Sequence, residues 1–590
     1  MAQPPYTDPV FPPPSADFMK FPSRRSVVHS TKGMVACTQP LAAKCGIDIL
    51  NAGGNAADAA VAVAAGLNMT EPCSTGIGGD MFCLYYDAAT RSVSALNGSG
   101  RSGAACTLDR IRRDLAIPDD ATGATIPMSS VHAVTVPGAA AGWVDTVDRF
   151  GSGKLTLAQI LAPAIELGEK GFPVSELTAH FWQRGEPSLR AASPNYAEML
   201  KPDPSHPSGH RAPRAGEIIK LPHLAQTFRA LAAEGKPGFY TGRVASSLIA
   251  TTAALGGHLT LADLSHHMSL LPDSPDPISL PFASCLRVWE HPPNGQGLVA
   301  LQALGILTHL RDAGVVPAFG PAEHNSAPYL HAVIEALRIA FADGAWFIAD
   351  PATTSVPTAD LLAPSYLAER AALFRPDRAT PVPAHGSPAW SASDTVYLAT
   401  ADAHGNAMSL INSNYGGFGT GIVPAGCGFT LQNRGAGFSL DGGHPNVLAP
   451  GKRPYHTIIP GLVTREGGGL HSVFGVMGGF MQPQGHVQVL LGQVWGGLSP
   501  QQALDAPRVC IGGGMPGEGE DVVVYVEEGM APGVVEGLRG LGHRVEVVGG
   551  MRRAMFGRGQ VIRWTEDEVE GTGVWSGGSD GRGDGCVFPA

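Results

Sequence analysis

Apolar and polar positions alternate through TVYLATADAHGNAMSLINSN, residues 395–414, which predicts two strands joined at the turn Asp402-Ala403-His404-Gly405. The preceding stretch, PVPAHGSPAWSASD, is a breaker-rich loop. Nearer the start, GMVACTQP reads as a strand, and LAAKCGIDILNAGG as an amphipathic helix closed by Gly53. Asn55 then caps an alanine-rich helix, AADAAVAVAAGLN, suited to close packing. MFCLYYDAATRSVSALNG predicts a hairpin turning at 87–90. Three-to-four spacing makes residues 136–310 mainly helical, and 329–351 adds one long helix. LHSVFGVMGG is a strand ending in paired glycines, followed by the helix QGHVQVLLGQV, and the tail from 521 reads strand–helix–strand–strand. Helices should therefore dominate the first two-thirds, with strands around Thr395.

Composition fits a folded protein of more than one structural unit: 590 residues, 44% hydrophobic and 15% charged. The 77 glycines have no collagen-like period and suit many tight connections between helices and strands. A net charge of −11 without a long basic run argues against nucleic acid or an anionic membrane as partner. Nine cysteines without a CxxC pair point to buried free thiols rather than disulfides or zinc. No metal or other cofactor is expected, since His210 and His266-His267 lie in polar segments without clustered carboxylates or cysteines. GIGGD and GFGTG lack the strand–glycine loop–helix setting of a dinucleotide site. The proline-rich start has no apolar signal region and no run is long enough to span a bilayer, so a cytoplasmic protein is expected.

GGNAADAAVAVAAGLNMTEPCSTGIGGD, FYTG at 239–242, PPNGQG at 292–297, GKRPYHTIIP and GVMGG occur together and in order. As a set they resemble the γ-glutamyltranspeptidase family of N-terminal nucleophile hydrolases, over roughly residues 30–584. The resemblance implies an α+β fold, a four-layer αββα sandwich built from two autoproteolytic fragments. It divides the chain into a flexible leader (1–29), a large fragment (30–394) and a small fragment (395–590) that form a heterodimer, with any higher oligomer left open. Cleavage would fall between Asp394 and Thr395. Thr395 would become the nucleophile, with its new α-amino group as base; a model α-amine titrates at about 7.7–8.0, suited to neutral-pH catalysis. Ser413 takes the place of a family threonine that bonds the nucleophile. Gly478 and Gly479 match the oxyanion-hole pair, and Arg101 the arginine that grips the substrate's carboxylate.

Other positions depart from the family pattern. Thr395-Val396-Tyr397 replaces Thr-Thr-His, Tyr415 an asparagine that binds the substrate ammonium, and His456-Thr457 a Ser-Ser carboxylate contact. Gly437 stands where the ammonium-pairing aspartate belongs, and Arg434 replaces a polar residue. An ammonium without such partners is costly to bury. The substrate is therefore expected to be a small amide, γ-glutamyl or glutaryl in type, with glutaryl favoured as in cephalosporin acylases and Gly437→Asp restoring γ-glutamyl turnover. The acyl group would pass to water or an amine. The competing class is a non-catalytic pseudoenzyme serving as a binding scaffold.

Overall fold

The computed structural model describes residues 25–283, 285–380, 395–512, 522–567 and 569–590. Two antiparallel sheets form its centre. One has seven strands, in the order Val28–Ser30, Thr572–Ser579, Arg558–Asp567, Leu470–Met477, Gly461–Arg465, Leu286–Glu290 and Ile278–Phe282. The other has six: Cys586–Pro589, Met34–Cys37, Val396–Ala401, Ala407–Ser413, Asp80–Asp87 and Ser92–Gly98. Both contain strands from either side of residue 394, so the two halves of the chain are interleaved.

The period-two pattern of Val396–Ala401 explains the layers. Tyr397, Ala399 and Ala401 enter the apolar space between the sheets, with Phe82, Ile411, Val473 and Met477. Val396 and Leu398 point the other way, onto a helical layer that includes Ala56–Thr70, Ala139–Phe150 and Leu157–Lys170. On the far side, Phe474 and Val476 of the seven-stranded sheet pack on Gly297–Asp312, Ala327–Phe347 and Met481–Val494. The order is helix, sheet, sheet, helix, and Val396–Ala401, Ala407–Ser413 and Leu470–Met477 are buried on both faces. Close stacking requires Gly475 to be glycine, because a Cβ there would lie 2.5 Å from the Tyr397 ring.

Several local expectations match their elements. The Asn55 side chain accepts from Ala57 and Asp58 N–H while Asp58 answers to the Asn55 N–H, a complete capping box for Ala56–Thr70. The hairpin Asp80–Asp87 and Ser92–Gly98 turns at Asp87, whose carboxylate accepts from Ala89 and Thr90 N–H. Others are corrected. The span read as mainly helical contains the hairpin Ile278–Phe282 and Leu286–Glu290. The tail adds Thr572–Ser579 and Cys586–Pro589, whose glycines and short length hid their strand character. Val28–Ser30 is an edge strand paired with Trp575–Gly577, and its first two residues fall in the segment 1–29 expected as a flexible leader. No helix among the described residues is long and apolar enough to cross a membrane.

Candidate active site

Register places the candidate residues in one row. Val396 pairs with Asn412, so Thr395 stands across from Ser413, and Ser413 pairs with Asp80 on its other side. The alternation that sends Tyr397, Ile411 and Phe82 into the space between the sheets sends Thr395, Ser413 and Asp80 there too. All three are fully buried.

Thr395 Oγ1 and Ser413 Oγ are 3.0 Å apart. Ser413 Oγ also accepts from Tyr415 N–H at 2.8 Å and, more distantly, from Arg434 Nη2 at 3.4 Å. Either hydroxyl of the Thr395–Ser413 pair can be the donor. The Tyr415 contact needs a tight reversal just after the strand, and Tyr415 makes it with φ of 79°, uncommon for a residue with a side chain.

Arg434 is fully buried, with its guanidinium 4.2 Å from the Tyr415 ring centroid and Nη1 donating to Thr457 Oγ1 at 2.8 Å. Its Nε is buried and has no hydrogen-bond partner among the described residues. Burial lowers its pKa to about 10, against the pull of Tyr415 and Asp80, so it stays charged at neutral pH. From Thr457 the network runs on: Gln296 Nε2 donates to both Thr457 O (2.6 Å) and Gly479 O (2.8 Å), and Tyr455 Oη donates to Gln296 Oε1 at 3.0 Å. Thr395, Ser413, Arg434, Thr457, Gln296 and Gly479 are thus one connected set. Gly478 and Gly479 have φ of 132° and 59°, and neither N–H has an acceptor among the described residues.

Asp80 organises the other wall. Its Oδ1 accepts from Gly100 N–H (2.9 Å), Gly138 N–H (3.0 Å) and Gln432 Nε2 (2.9 Å), and its Oδ2 from His456 Nε2 at 3.1 Å. Burial by itself would raise this carboxyl, but the His456 hydrogen bond and the nearby Arg434 charge hold it below the usual range. His456 is the neutral partner: burial first, then Arg434, push its pKa to about 3. Its Nδ1 accepts from Ile458 N–H at 3.3 Å, which leaves the proton on Nε2 for Asp80. The Gly100 contact fixes the backbone next to Arg101. The half-buried Arg101 side chain makes no hydrogen bond or ion pair among the described residues, whereas nearby Arg453 is paired with Asp273 at 2.5 Å.

The structure therefore brings Thr395, Ser413, Tyr415, Arg434, Thr457 and Gly479 together, with Gly478 beside Gly479. It joins Arg101 and His456 to them through Asp80, and Asp394 lies outside the described residues. Tyr397 is a packing residue whose hydroxyl meets Ser409 Oγ at 2.9 Å. Asp80, Gln296 and Gln432 were given no role by sequence reasoning, although Asp80 ends GIGGD and Gln296 lies in PPNGQG. Gly437 proves too confined for a carboxylate, because a Cβ there would lie 2.8 Å from the Tyr455 carbonyl oxygen.

Similar proteins identify the family. The family description Gamma-glutamyltranspeptidase matches residues 42–590. The chain is 35% identical to the glutathione hydrolase-like YwrD proenzyme of Bacillus subtilis, covering 95% of this chain and 99% of the relative. It is 34% identical to the oxamate amidohydrolase proenzyme of Klebsiella pneumoniae, covering 92% and 96%. The solved cephalosporin acylase of Bacillus halodurans superposes with a TM-score of 0.83 at 40% identity, covering 99% of both chains. With its αββα layers and this buried hydroxyl row, the chain belongs to the gamma-glutamyltranspeptidase family and is an enzyme of the N-terminal nucleophile hydrolase fold.

Proposed function

We propose that the protein cuts itself between Asp394 and Thr395 and then hydrolyses, or transfers to an amine, a carboxylate-bearing acyl group held as a small amide. The observation that carries this is the buried Thr395–Ser413 hydroxyl pair, 3.0 Å apart, at the N-terminal end of a central strand. In processing, Thr395 Oγ attacks the Asp394 carbonyl and the peptide becomes an ester. That step breaks the Asp394–Thr395 C–N bond and frees the Thr395 amine; water then hydrolyses the ester, releasing the Asp394 carboxylate and returning the Thr395 hydroxyl. In turnover that amine takes the Thr395 hydroxyl proton as Oγ attacks the substrate carbonyl. The N–H groups of Gly478 and Gly479 stabilise the oxyanion, each worth about 2.7–4 kcal/mol at a comparable site. The proton passes to the leaving amine, and water or an acceptor amine resolves the ester. Electrophoresis and N-terminal sequencing test the first step: two fragments, the smaller beginning at Thr395, are expected.

Cationic groups favour an anionic acyl end. Among the described residues Arg434 has no carboxylate in a salt bridge and Arg101 is uncommitted, while Asp80 is already engaged by four donors. An α-ammonium on the acyl group would meet these charges unpaired. A glutaryl anilide should therefore be cleaved with kcat/KM at least about tenfold above its γ-glutamyl counterpart; equal or reversed values would place an unrecognised carboxylate at the ammonium. The likeness to a cephalosporin acylase and an oxamate amidohydrolase supports this preference. Because Gly437 has no room for a side chain, Gly437→Asp is now expected to lower activity toward both substrates rather than restore γ-glutamyl turnover.

Arg434 also sets the pH range. Arg434 Nη2 lies 3.4 Å from Ser413 Oγ, itself 3.0 Å from Thr395 Oγ1, and a buried cation at that remove would disfavour the ammonium form of a Thr395 amine. Removing that charge in Arg434→Met should shift the acidic limb of kcat/KM upward by about one pH unit, for charges several ångströms apart at an intermediate dielectric. An unchanged limb would show that the titrating group is not the amine beside Arg434. We place the enzyme in the cytoplasm, in keeping with cysteines that are free and mostly buried.

A further inference from the structure

Away from the hydroxyl row, three side chains distant in sequence meet on the flank of the large fragment. Asp114 ends the helix Leu108–Asp114, His132 is the middle of the short 3-10 turn Val131–Ala133, and His258 precedes the helix Leu261–Ser269. One ligating atom from each lies within 4.8 Å of the other two. His258 Nε2 is 2.5 Å from Asp114 Oδ2, and the two imidazole rings stack at 5.3 Å with 25° between their planes. Among the described residues, buried His132 Nδ1 has no hydrogen-bond partner, so this ring carries an uncommitted nitrogen.

We propose that Asp114, His132 and His258 form a three-ligand site for a divalent transition metal of the zinc class, with water completing the coordination. Two imidazoles and one carboxylate suit zinc, cobalt, nickel or copper, whereas calcium and magnesium prefer all-oxygen sets. Zinc holds such atoms at about 2.0–2.2 Å, so the three donors must draw together by roughly an ångström. Side-chain rotation supplies that movement, because Asp114 is exposed and both histidines are only partly buried. Coordination would replace the His258–Asp114 hydrogen bond and satisfy the uncommitted ring.

A second cluster shows what a committed group of the same residue types looks like. His331 Nδ1 meets His543 Nε2 at 2.8 Å, His331 Nε2 meets Arg375 O at 2.7 Å, and Glu335 is taken by Arg338 and by Thr380 N–H. Metal there would have to break several buried bonds. At Asp114, His132 and His258 it breaks one.

The location gives the metal something to act on. Ala133, next to His132, packs so closely on the Arg434–Gly437 turn that a Cβ on Gly435 would lie 2.8 Å from its carbonyl oxygen. Met128 O accepts from Asn433 Nδ2 at 3.0 Å. The metal would therefore pin three segments of the large fragment behind the loop that carries Arg434.

Calorimetric titration of the untagged, chelator-treated full chain with zinc tests the site. One tight equivalent is expected, with affinity reduced by roughly tenfold or more in Asp114→Asn and in His258→Ala. Zinc should raise the melting temperature of the wild type and leave that of His258→Ala unmoved. Copper bound to the wild type should show two nitrogen ligands by electron paramagnetic resonance, and one in His258→Ala. Melting without metal checks the fold of each variant, and Asp114→Asn, on an exposed side chain, keeps the comparison readable if His258→Ala is unstable. The proposal falls if the wild type takes up no stoichiometric zinc. It falls equally if both variants bind as the wild type does, or if His543→Ala is the change that abolishes binding.

Discussion

Thr395→Ala should leave a single 590-residue chain on a denaturing gel and lower amide hydrolysis by at least about four orders of magnitude. Alanine keeps the strand, because Thr395 is buried and its neighbours Val396 and Asn412 hold the register. What it loses is the oxygen 3.0 Å from Ser413 Oγ. Without it no ester forms at Asp394 and no α-amine is released, so nucleophile and base vanish together. Thr395→Ser keeps the oxygen and should still cut, more slowly, since a serine lacks the methyl group that restricts χ1. A Thr395→Ala protein that splits normally, or a small fragment beginning elsewhere, would move the nucleophile to another residue. The interleaving of strands from both sides of residue 394 predicts a further result: the two fragments of the wild type should stay together on gel filtration and separate only in denaturant.

The second large effect is on stability. Asp80→Asn should lower it by about 3–5 kcal/mol, the range for breaking a buried charged network. It should also reduce activity by more than the loss of folded protein explains. Four donors converge on the Asp80 carboxylate, from Gly100, Gly138, Gln432 and His456. An amide offers one acceptor oxygen and turns an NH2 toward groups that are themselves donors. Urea unfolding monitored by fluorescence would measure the loss. The pH dependence has a definite sign. The folded Asp80 carboxyl lies below its ordinary value, so its stabilisation is fully present above about pH 3.9 and is lost as pH falls through the folded value. Asp80→Asn should flatten that acid limb. A variant as stable as the wild type at neutral pH would show that the Gly100 and Gly138 turns hold without the charge.

Much was legible in the chain itself. The two strands read in 395–414 fix which side chains share a face, because successive residues of a strand point to opposite sides. Thr395 and Ser413 therefore had to look the same way once the hairpin at 402–405 closed. Asn55 with Asp58, and Asp87 with its turn, are local hydrogen-bond devices, and they form as written. The hairpin at 278–290 and the last two strands were missed because their glycines, prolines and short length weaken the period-two signal. Their place in the sheets also rests on distant strands, Leu286–Glu290 on Gly461–Arg465 and Cys586–Pro589 on Met34–Cys37.

The tertiary structure decided the rest. The position of Asp80 beside Ser413 depends on a strand pairing across more than three hundred residues, and nothing near GIGGD reveals it. Arg434 reads as an ordinary polar substitution in LQNRGAGFS, yet it becomes a buried cation bridging Ser413 and Thr457. Gly437 looked like a vacancy for an aspartate until the Tyr455 carbonyl was seen to fill the space. Asp114, His132 and His258 fit no motif, because their spacing reflects the packing of three separate segments. Periodicity and capping act between near neighbours and are written in order along the chain. Charge, burial and free space depend on what arrives from elsewhere, and only the folded chain supplies it.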